Sequence, residues 1–539
     1  MKDCPRSGAL LLAATASASL LACQVNEGPG AQTTDAVSAE ARYIVAYKDD
    51  AGRLAAEEAG RVALRLEKLN AVAVHLPEKA VTALSKNPHI EYVEEDAKRY
   101  MLGQTTPYGI TMVQAPLVSD ASAASVKVCI IDSGYSLGHE DLPTTNVSGT
   151  SDPGGAGNWF EDGAGHGTHV AGTISAVNNN LGVIGVMPSG TVALHIVRVF
   201  GNDGAWAYSS SLVTALNTCV SNGAKVVSMS LGGSTRSRTE DRAFASAYAA
   251  GVLSVAAAGN DGNTRNSYPA SYDSVISVAA IDDTMTVADF SQQNSQVELS
   301  APGVHVLSTV PVGAGTVASV STQDGTSFVG SGMDGSPLGT VSGPLVDCGD
   351  GTSTCTGAGG AVCLIARGTI AFSDKVLACQ NGGGVAAVIY NNVAGDFLGT
   401  LGGVATTIPS MSVSDTAGAT LLGKLGQATT VAVEASNYDF YDGTSMATPH
   451  VSGVAALVWS HNPTWTNQQI RDALAATAID LGAAGRDNAY GFGLIQAKDA
   501  LDYLSSGGPA CFPVGSSCSA NADCCSNSCV KVRGQRTCR

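Results

Sequence analysis

Basic side chains are scarce in this sequence: 29 Lys and Arg stand against 46 Asp and Glu, a formal charge of −17, and the basic residues form no cluster. A nucleic-acid partner, whose phosphates need a positive surface, is excluded on that ground. Charge of either sign is sparse, at 14% of 539 residues, while glycine is plentiful at 63. That combination suits a compact, loop-rich extracellular enzyme. Beyond the N-terminus no apolar run is long enough to cross a membrane. Also missing is the Gly-x-Ser-x-Gly elbow of α/β-hydrolases, because Ala447 takes the place of its second glycine after Gly443, Thr444, Ser445 and Met446. An esterase of that type is disfavoured.

What is there begins with that same run. Val451, Val454, Ala455 and Val458 recur at helical spacing, so Ser445 is expected at a helix start, where N–H groups point outward and negative charge is favoured. A serine there is placed for chemistry if the chain also supplies a base and a carboxylate to orient it. Val126–Ile131 reads as a buried strand with Asp132, Ser133 and Gly134 at its C-terminal end, where open α/β sheets place functional groups. Gly165, His166, Gly167, Thr168 and His169 open a helix of small residues, and the glycines let His166 approach another element closely. Strand-like runs at Ala193–Val199, Lys225–Met229, Val252–Ala257 and Val275–Ala279 alternate with helical stretches, notably Ser209–Asn222, which predicts a parallel sheet covered on both faces.

The flanking regions have characters of their own. Residues 1–22 carry Lys2 and Arg6 before an apolar stretch and read as an export signal; 23–41 read as a linker. Residues 42–102 hold a small α+β domain: strand Tyr43–Tyr47, helix Leu54–Leu69, strand Ala71–Leu76, helix Glu78–Lys86 and strand Ile90–Val93. Residues 323–437 carry their own strands (Ala361–Ile365, Val385–Tyr390) and a helix (Phe372–Cys379), which makes them an inserted β-rich domain rather than a loop. Fourteen cysteines imply an oxidising compartment. Cys348, Cys355, Cys363 and Cys379 allow three pairings. Cys129 and Cys219 leave buried thiols and a core disulfide both open. After a linker at 505–510, six cysteines crowd into residues 511–539, where disulfides must replace a core. No His lies there, and the paired-cysteine spacing of zinc ribbons is absent.

Ile131–Gly134, His166–His169 and Gly443–Ala447 resemble, in order, the three signatures of the subtilisin family of serine proteases, and Ala256–Asn260 resembles the family segment whose Asn donates to an oxyanion. The resemblance implies a doubly wound parallel α/β sheet over residues 103–322 and 438–504, and a secreted endopeptidase acting on protein or peptide substrates. Ser445 would be the nucleophile, His166 the base, Asp132 its orienting partner and Asn260 the oxyanion donor. Ser230, Leu231 and Gly232 with Tyr268–Ala270 would wall the primary pocket, Ser267 making its floor shallower, and Gly201–Tyr208 would form the edge that pairs with substrate. A structural calcium ion is implied at Gln104, Asp141 and Asn179 with the carbonyls of Val177, Leu181 and Val183. Residues 42–102 resemble the family's inhibitory propeptide, which implies a self-processed zymogen cut near Leu102, and the insert resembles the protease-associated domain. The tail resembles cystine-knot peptides, which implies Cys511–Cys525, Cys518–Cys529 and Cys524–Cys538. Leu20–Cys23 resembles a bacterial lipobox, so a transient lipid anchor through Cys23 and an ordinary cleaved signal are both open. A monomer is expected. The alternative is a catalytically silent extracellular binding protein that works through the insert and the knot.

Overall fold

The structure, a computed structural model, describes residues 42–66, 69–95, 104–152, 155–204, 207–507, 518, 529–532 and 535–538. The export signal, Cys23, the cut near Leu102 and two of the three expected tail pairings, Cys511–Cys525 and Cys524–Cys538, involve residues outside these. Two compact units divide the chain between Met101 and Leu102.

The first unit is a four-stranded antiparallel sheet in the order β2-β3-β1-β4, from β1 (Arg42–Tyr47), β2 (Arg61–Leu66), β3 (Ala71–His75) and β4 (Ile90–Glu95), with helices α1 (Asp50–Glu58) and α2 (Glu78–Leu84). The single helix expected over Leu54–Leu69 is corrected here. It stops at Glu58, and Arg61–Leu66 pairs with β3 instead. Gly60 passes so close to β3 that a Cβ would lie 2.0 Å from the His75 carbonyl oxygen, an approach that only glycine permits.

In the second unit, α3 (Tyr108–Met112) precedes β5 (Lys127–Asp132), β6 (Val147–Thr150), α4 (His166–Ser175), β7 (Ala193–Arg198), α5 (Ser209–Ser221), β8 (Val226–Met229), α6 (Arg238–Ala249), β9 (Leu253–Ala257), β10 (Val275–Ile281) and β11 (Val297–Pro302). The strands form one all-parallel sheet in the order β11-β10-β9-β8-β5-β7-β6. Alternate residues of β5 feed opposite faces: Val128 and Ile130 join one core, Cys129 and Ile131 the other. This is the doubly wound arrangement, and it puts the C-terminal end of β5, with Asp132, where the strand order reverses. Cys129 and Cys219 form a disulfide that ties β5 to α5, closing the choice left by the sequence.

After β12 (Val306–Thr309) the chain leaves the sheet and builds a closed barrel from β13 (Gly315–Thr322), β14 (Ser327–Gly332), β15 (Gly339–Asp347), β16 (Val362–Ala366), β17 (Ala386–Tyr390), β18 (Ser410–Val413) and β19 (Ala428–Ser436), with helices α7 (Phe372–Asn381) and α8 (Asp415–Leu422). The insert therefore begins near Gly315, not at residue 323: β13 pairs along its whole length with β19, from Gly315 opposite Ser436 to Thr322 opposite Thr429. A pairing between strands so far apart in sequence leaves no local signal at the boundary. Cys348–Cys355 and Cys363–Cys379 are the disulfides chosen here. β20 (Tyr438–Tyr441) returns antiparallel to β12, so the barrel hangs on a two-stranded stalk. Helices α9 (Thr444–Ser460), α10 (Asn467–Ala476) and α11 (Ala497–Ser505) complete the unit. Nearly all of α9 is buried, with Trp459 among the largest enclosed side chains. In the tail, β21 (Cys529–Val532) and β22 (Gln535–Cys538) form a hairpin, and Cys518 is bonded to Cys529, the second-to-fifth pairing.

Candidate active site

Three element ends meet at the sheet's C-terminal edge. Gly443, at φ +150°, turns the chain into α9, so that Ser445 is the second helical residue. Pro449 within α9 has no N–H to give to the Ser445 carbonyl four residues back. That oxygen is free to accept the Ser230 hydroxyl at 2.6 Å, and the Ser445 hydroxyl donates to the Ser230 carbonyl at 3.2 Å. This reciprocal pair holds the serine against the segment after β8. Asn260 completes the group: its Oδ1 accepts both the N–H and the hydroxyl of Thr444, at 2.9 and 2.8 Å. The amide orientation is thereby set, with Nδ2 turned outward. A Cβ built on Gly443 would lie 3.4 Å from Asn260 Nδ2 and 3.5 Å from the Ser445 nitrogen, so the two donors flank one place. Neither has a hydrogen-bond partner among the described residues. Two such donors beside Ser445 are of the kind that stabilises an oxygen acquiring negative charge next to its hydroxyl.

Asp132, fully buried at the end of β5, accepts His166 Nδ1 at 2.7 Å and the Ser133 N–H at 2.8 Å, both on Oδ1. Its Oδ2 is buried without a partner. Burial pulls the His166 imidazole toward its neutral form, but the charge and hydrogen bond of Asp132 prevail and lift its pKa above the ordinary histidine value. The ring keeps about a third of its surface open (32%). Asp132, His166, Asn260 and Ser445 are thus at one edge, although the Ser445 hydroxyl is turned to Ser230 rather than to His166.

Beside Ser445 lies a cavity of about 210 Å³ between Leu231–Ser234 and Arg265–Ser267. Gly233 and Tyr268 bond to each other through both backbone groups at 2.8 Å, so the walls are stitched together. Gly232 packs closely on the opposite wall: a Cβ there would stand 2.5 Å from Ser267 Oγ. Besides these small residues the lining includes the polar groups Asp261, Arg265 and Gln292. These polar groups come from two separate loops, Asp261 and Arg265 from the one after β9 and Gln292 from the one before β11, and no motif announces them. A second cavity, of about 500 Å³, continues past Gly232 between Phe200, Leu212, Leu231 and Tyr268, with Tyr208 exposed at its rim.

The residues expected to bind a cation lie apart from this edge. Gln104 Nε2 donates to the carbonyls of Val177 and Val183 at 2.6 and 2.8 Å, so both oxygens converge on its amide. Asp141 accepts the Val183 N–H on Oδ2, while its Oδ1 is buried with no partner. Burial pushes this carboxyl up to about 7. Asn179 braces the loop, donating to the Glu140 carbonyl and accepting the Leu181 N–H. An orphaned buried carboxylate oxygen among convergent carbonyls fits a hard cation such as calcium.

Known proteins share this fold. The Subtilase family pattern matches residues 123–335 and 411–493, more than half of the chain. The chain is a subtilase. Within the subtilase, residues 341–421 match the PA domain and residues 39–96 the Fervidolysin N-terminal prodomain. Subtilisin E of Bacillus subtilis (strain 168) is 30% identical over 485 residues, spanning 87% of this chain and 93% of that protein. M-protease of Shouchella clausii (strain KSM-K16) is 32% identical over 477 residues, 87% of this chain and 90% of that one. Among solved structures, the psychrophilic subtilisin-like protease Apa1 from the Antarctic psychrotroph Pseudoalteromonas sp. AS-11 is 44% identical, with a TM-score of 0.66 over 75% of this chain and 99% of its own. The subtilase is a serine endopeptidase with a prodomain and an inserted PA domain.

Proposed function

We propose that the protein is a secreted endopeptidase, made as a zymogen, that cleaves peptide bonds through Asp132, His166 and Ser445. The observation that carries this reading is the pair of unpartnered donors, the Ser445 N–H and Asn260 Nδ2, aimed beside a serine at a helix start. Substrate enters as an extended segment along the Gly201–Tyr208 edge, and the side chain before the scissile bond fills the pocket of Ser230, Leu231 and Gly232. The Ser445 hydroxyl rotates from the Ser230 carbonyl to His166, which takes its proton as the oxygen attacks the substrate carbonyl. The Ser445 N–H and Asn260 hold the resulting oxyanion. His166 then returns the proton to the leaving amine, and Asp132 keeps the imidazole in the tautomer that can do so.

Gln104, Asp141 and Asn179, with the carbonyls of Val177, Leu181 and Val183, would hold a calcium ion that stabilises the fold and takes no part in the reaction. The prodomain inhibits the enzyme until the enzyme removes it near Leu102. Secretion is supported by the signal-like start and by the disulfides. A silent binding protein is not favoured, because every group that the chemistry needs is present. A serine-directed fluorophosphonate should label Ser445, and Ser445→Ala and His166→Ala should each abolish labelling. Failure to label the active wild-type enzyme would remove the assignment.

A further inference from the structure

Asp162 lies outside the short runs that carry the family resemblance in the sequence, yet it is the most heavily hydrogen-bonded carboxylate near the site. It lies four residues before His166 and is only 7% exposed. Its Oδ1 accepts the Ser133 hydroxyl and the Gly165 N–H, each at 2.8 Å. Its Oδ2 accepts the N–H and the hydroxyl of Thr168 at 2.8 and 2.6 Å. The bonds extend further: Ser133 Oγ also accepts the Gly167 N–H at 2.8 Å, and Thr168 Oγ1 the Ser136 N–H at 3.1 Å. Ser133 follows Asp132 directly, and Gly165, Gly167 and Thr168 surround His166. One carboxylate therefore joins the turn that carries Asp132 to the helix start that carries His166. No salt bridge neutralises it among the described residues, so its charge is held by the N–H groups at the start of α4, where an anion is stabilised.

We propose that Asp162 is a positioning residue for peptide hydrolysis, aligning His166 on Asp132 and presenting a second negative charge to the imidazole. The inference rests on His166 being the base. Three observations support it besides the hydrogen bonds. Asp162 adds to Asp132 in favouring the imidazolium, the form that must exist while the tetrahedral intermediate does. The other ionisable groups packed here do not compete: buried His169, on the next part of α4, is pushed down to about 3 by burial and stays neutral. Tyr441, stacked on His169 and facing Asp162, is pushed up to about 12, again by burial, and stays neutral as well. Finally, Gly167 leaves no slack in the junction, since a Cβ there would lie 2.3 Å from the Gly134 carbonyl oxygen. The two turns are already in contact, and Asp162 decides their register.

The test compares Asp162→Asn, Ser133→Ala and His166→Ala in the full chain, by kcat, KM and the pH profile of kcat/KM on a peptide substrate. Asp162→Asn removes the charge and turns an amide toward a donor. Its kcat should fall by about 10- to 100-fold with KM nearly unchanged, and the acid limb should move down by about one pH unit. Ser133→Ala breaks one link but keeps the charge, so kcat should fall while the acid limb stays where it is. This milder variant also serves if Asp162→Asn does not fold. A wild-type acid limb in folded Asp162→Asn, or a wild-type kcat in Ser133→Ala, overturns the proposal. Full activity in His166→Ala would instead overturn the base assignment beneath it, so the two failures are distinguishable.

Discussion

Chelation should expose a single buried carboxylate to pH. Without a cation, Asp141 keeps Oδ1 unpartnered in a fully buried position, and burial holds its carboxyl near 7. A carboxyl whose folded pKa is raised stabilises the fold fully below its unfolded value and loses that contribution as pH rises through the folded value. Displacement from 3.8 to about 7 corresponds to about 4 kcal/mol at most, of which about 3 kcal/mol disappears between pH 5 and 8. At about 2 °C per kcal/mol for a large domain, the midpoint of the metal-free enzyme should drop by about 6 °C over that range. Calcium reverses the sign, because ligation favours the carboxylate and adds binding free energy to the folded state. Calorimetry on enzyme blocked by a sulfonyl fluoride, in chelator and in calcium, reads both slopes without autolysis. Asp439 and Asp472, each pushed up to about 6 by burial, add a slope of the same sign. The decisive quantity is therefore the difference from Asp141→Asn, which should lose both the calcium response and its share of the pH slope. Equal midpoints in chelator and calcium, or an Asp141→Asn slope identical to wild type, would refute the reasoning.

Asn260→Ala should lower kcat by roughly 10²–10³ with little change in KM, a size carried over from subtilisin; Thr444→Val, which removes the hydroxyl anchor of the Asn260 amide and keeps the backbone one, should lower it less, and steady-state kinetics ranks the two. The acid limb of wild-type kcat/KM should lie above the ordinary histidine value, because Asp132 holds the imidazolium against burial and protonated His166 cannot act as a base; a profile flat from pH 5 to 8 contradicts this. Ser445→Ala should accumulate as an unprocessed precursor, and N-terminal sequencing of a mutant that still begins near Gly103 would show that another protease makes the cut. Replacing Cys129 and Cys219 by Ala should cost about 2–4 kcal/mol, since their disulfide closes a separation of 90 residues; an unchanged denaturation midpoint would mean that the bridge adds nothing to the stability of the fold.

The sequence by itself determined what is written in short contiguous runs. Ser445 at a helix start, Asp132 at a strand end and His166 between glycines are legible because each depends on local periodicity and backbone freedom, and their order along the chain carried the family resemblance. The alternating apolar strands were legible for the same reason, and β7 to β10 lie where that pattern put them. Only the tertiary structure decided what depends on distant segments meeting. The expected helix over Leu54–Leu69 gave way to β2 because pairing with β3 outweighed a helical pattern. The barrel took Gly315–Thr322 because β19, more than a hundred residues later, offered an edge. The polar lining of the primary pocket and the place of Asp162 were hidden for the same cause. A carboxylate four residues before a histidine is ordinary in sequence; it gains a role only when the Asp132 turn is folded against it and their hydrogen bonds close within a buried space, where an unmade bond would be costly.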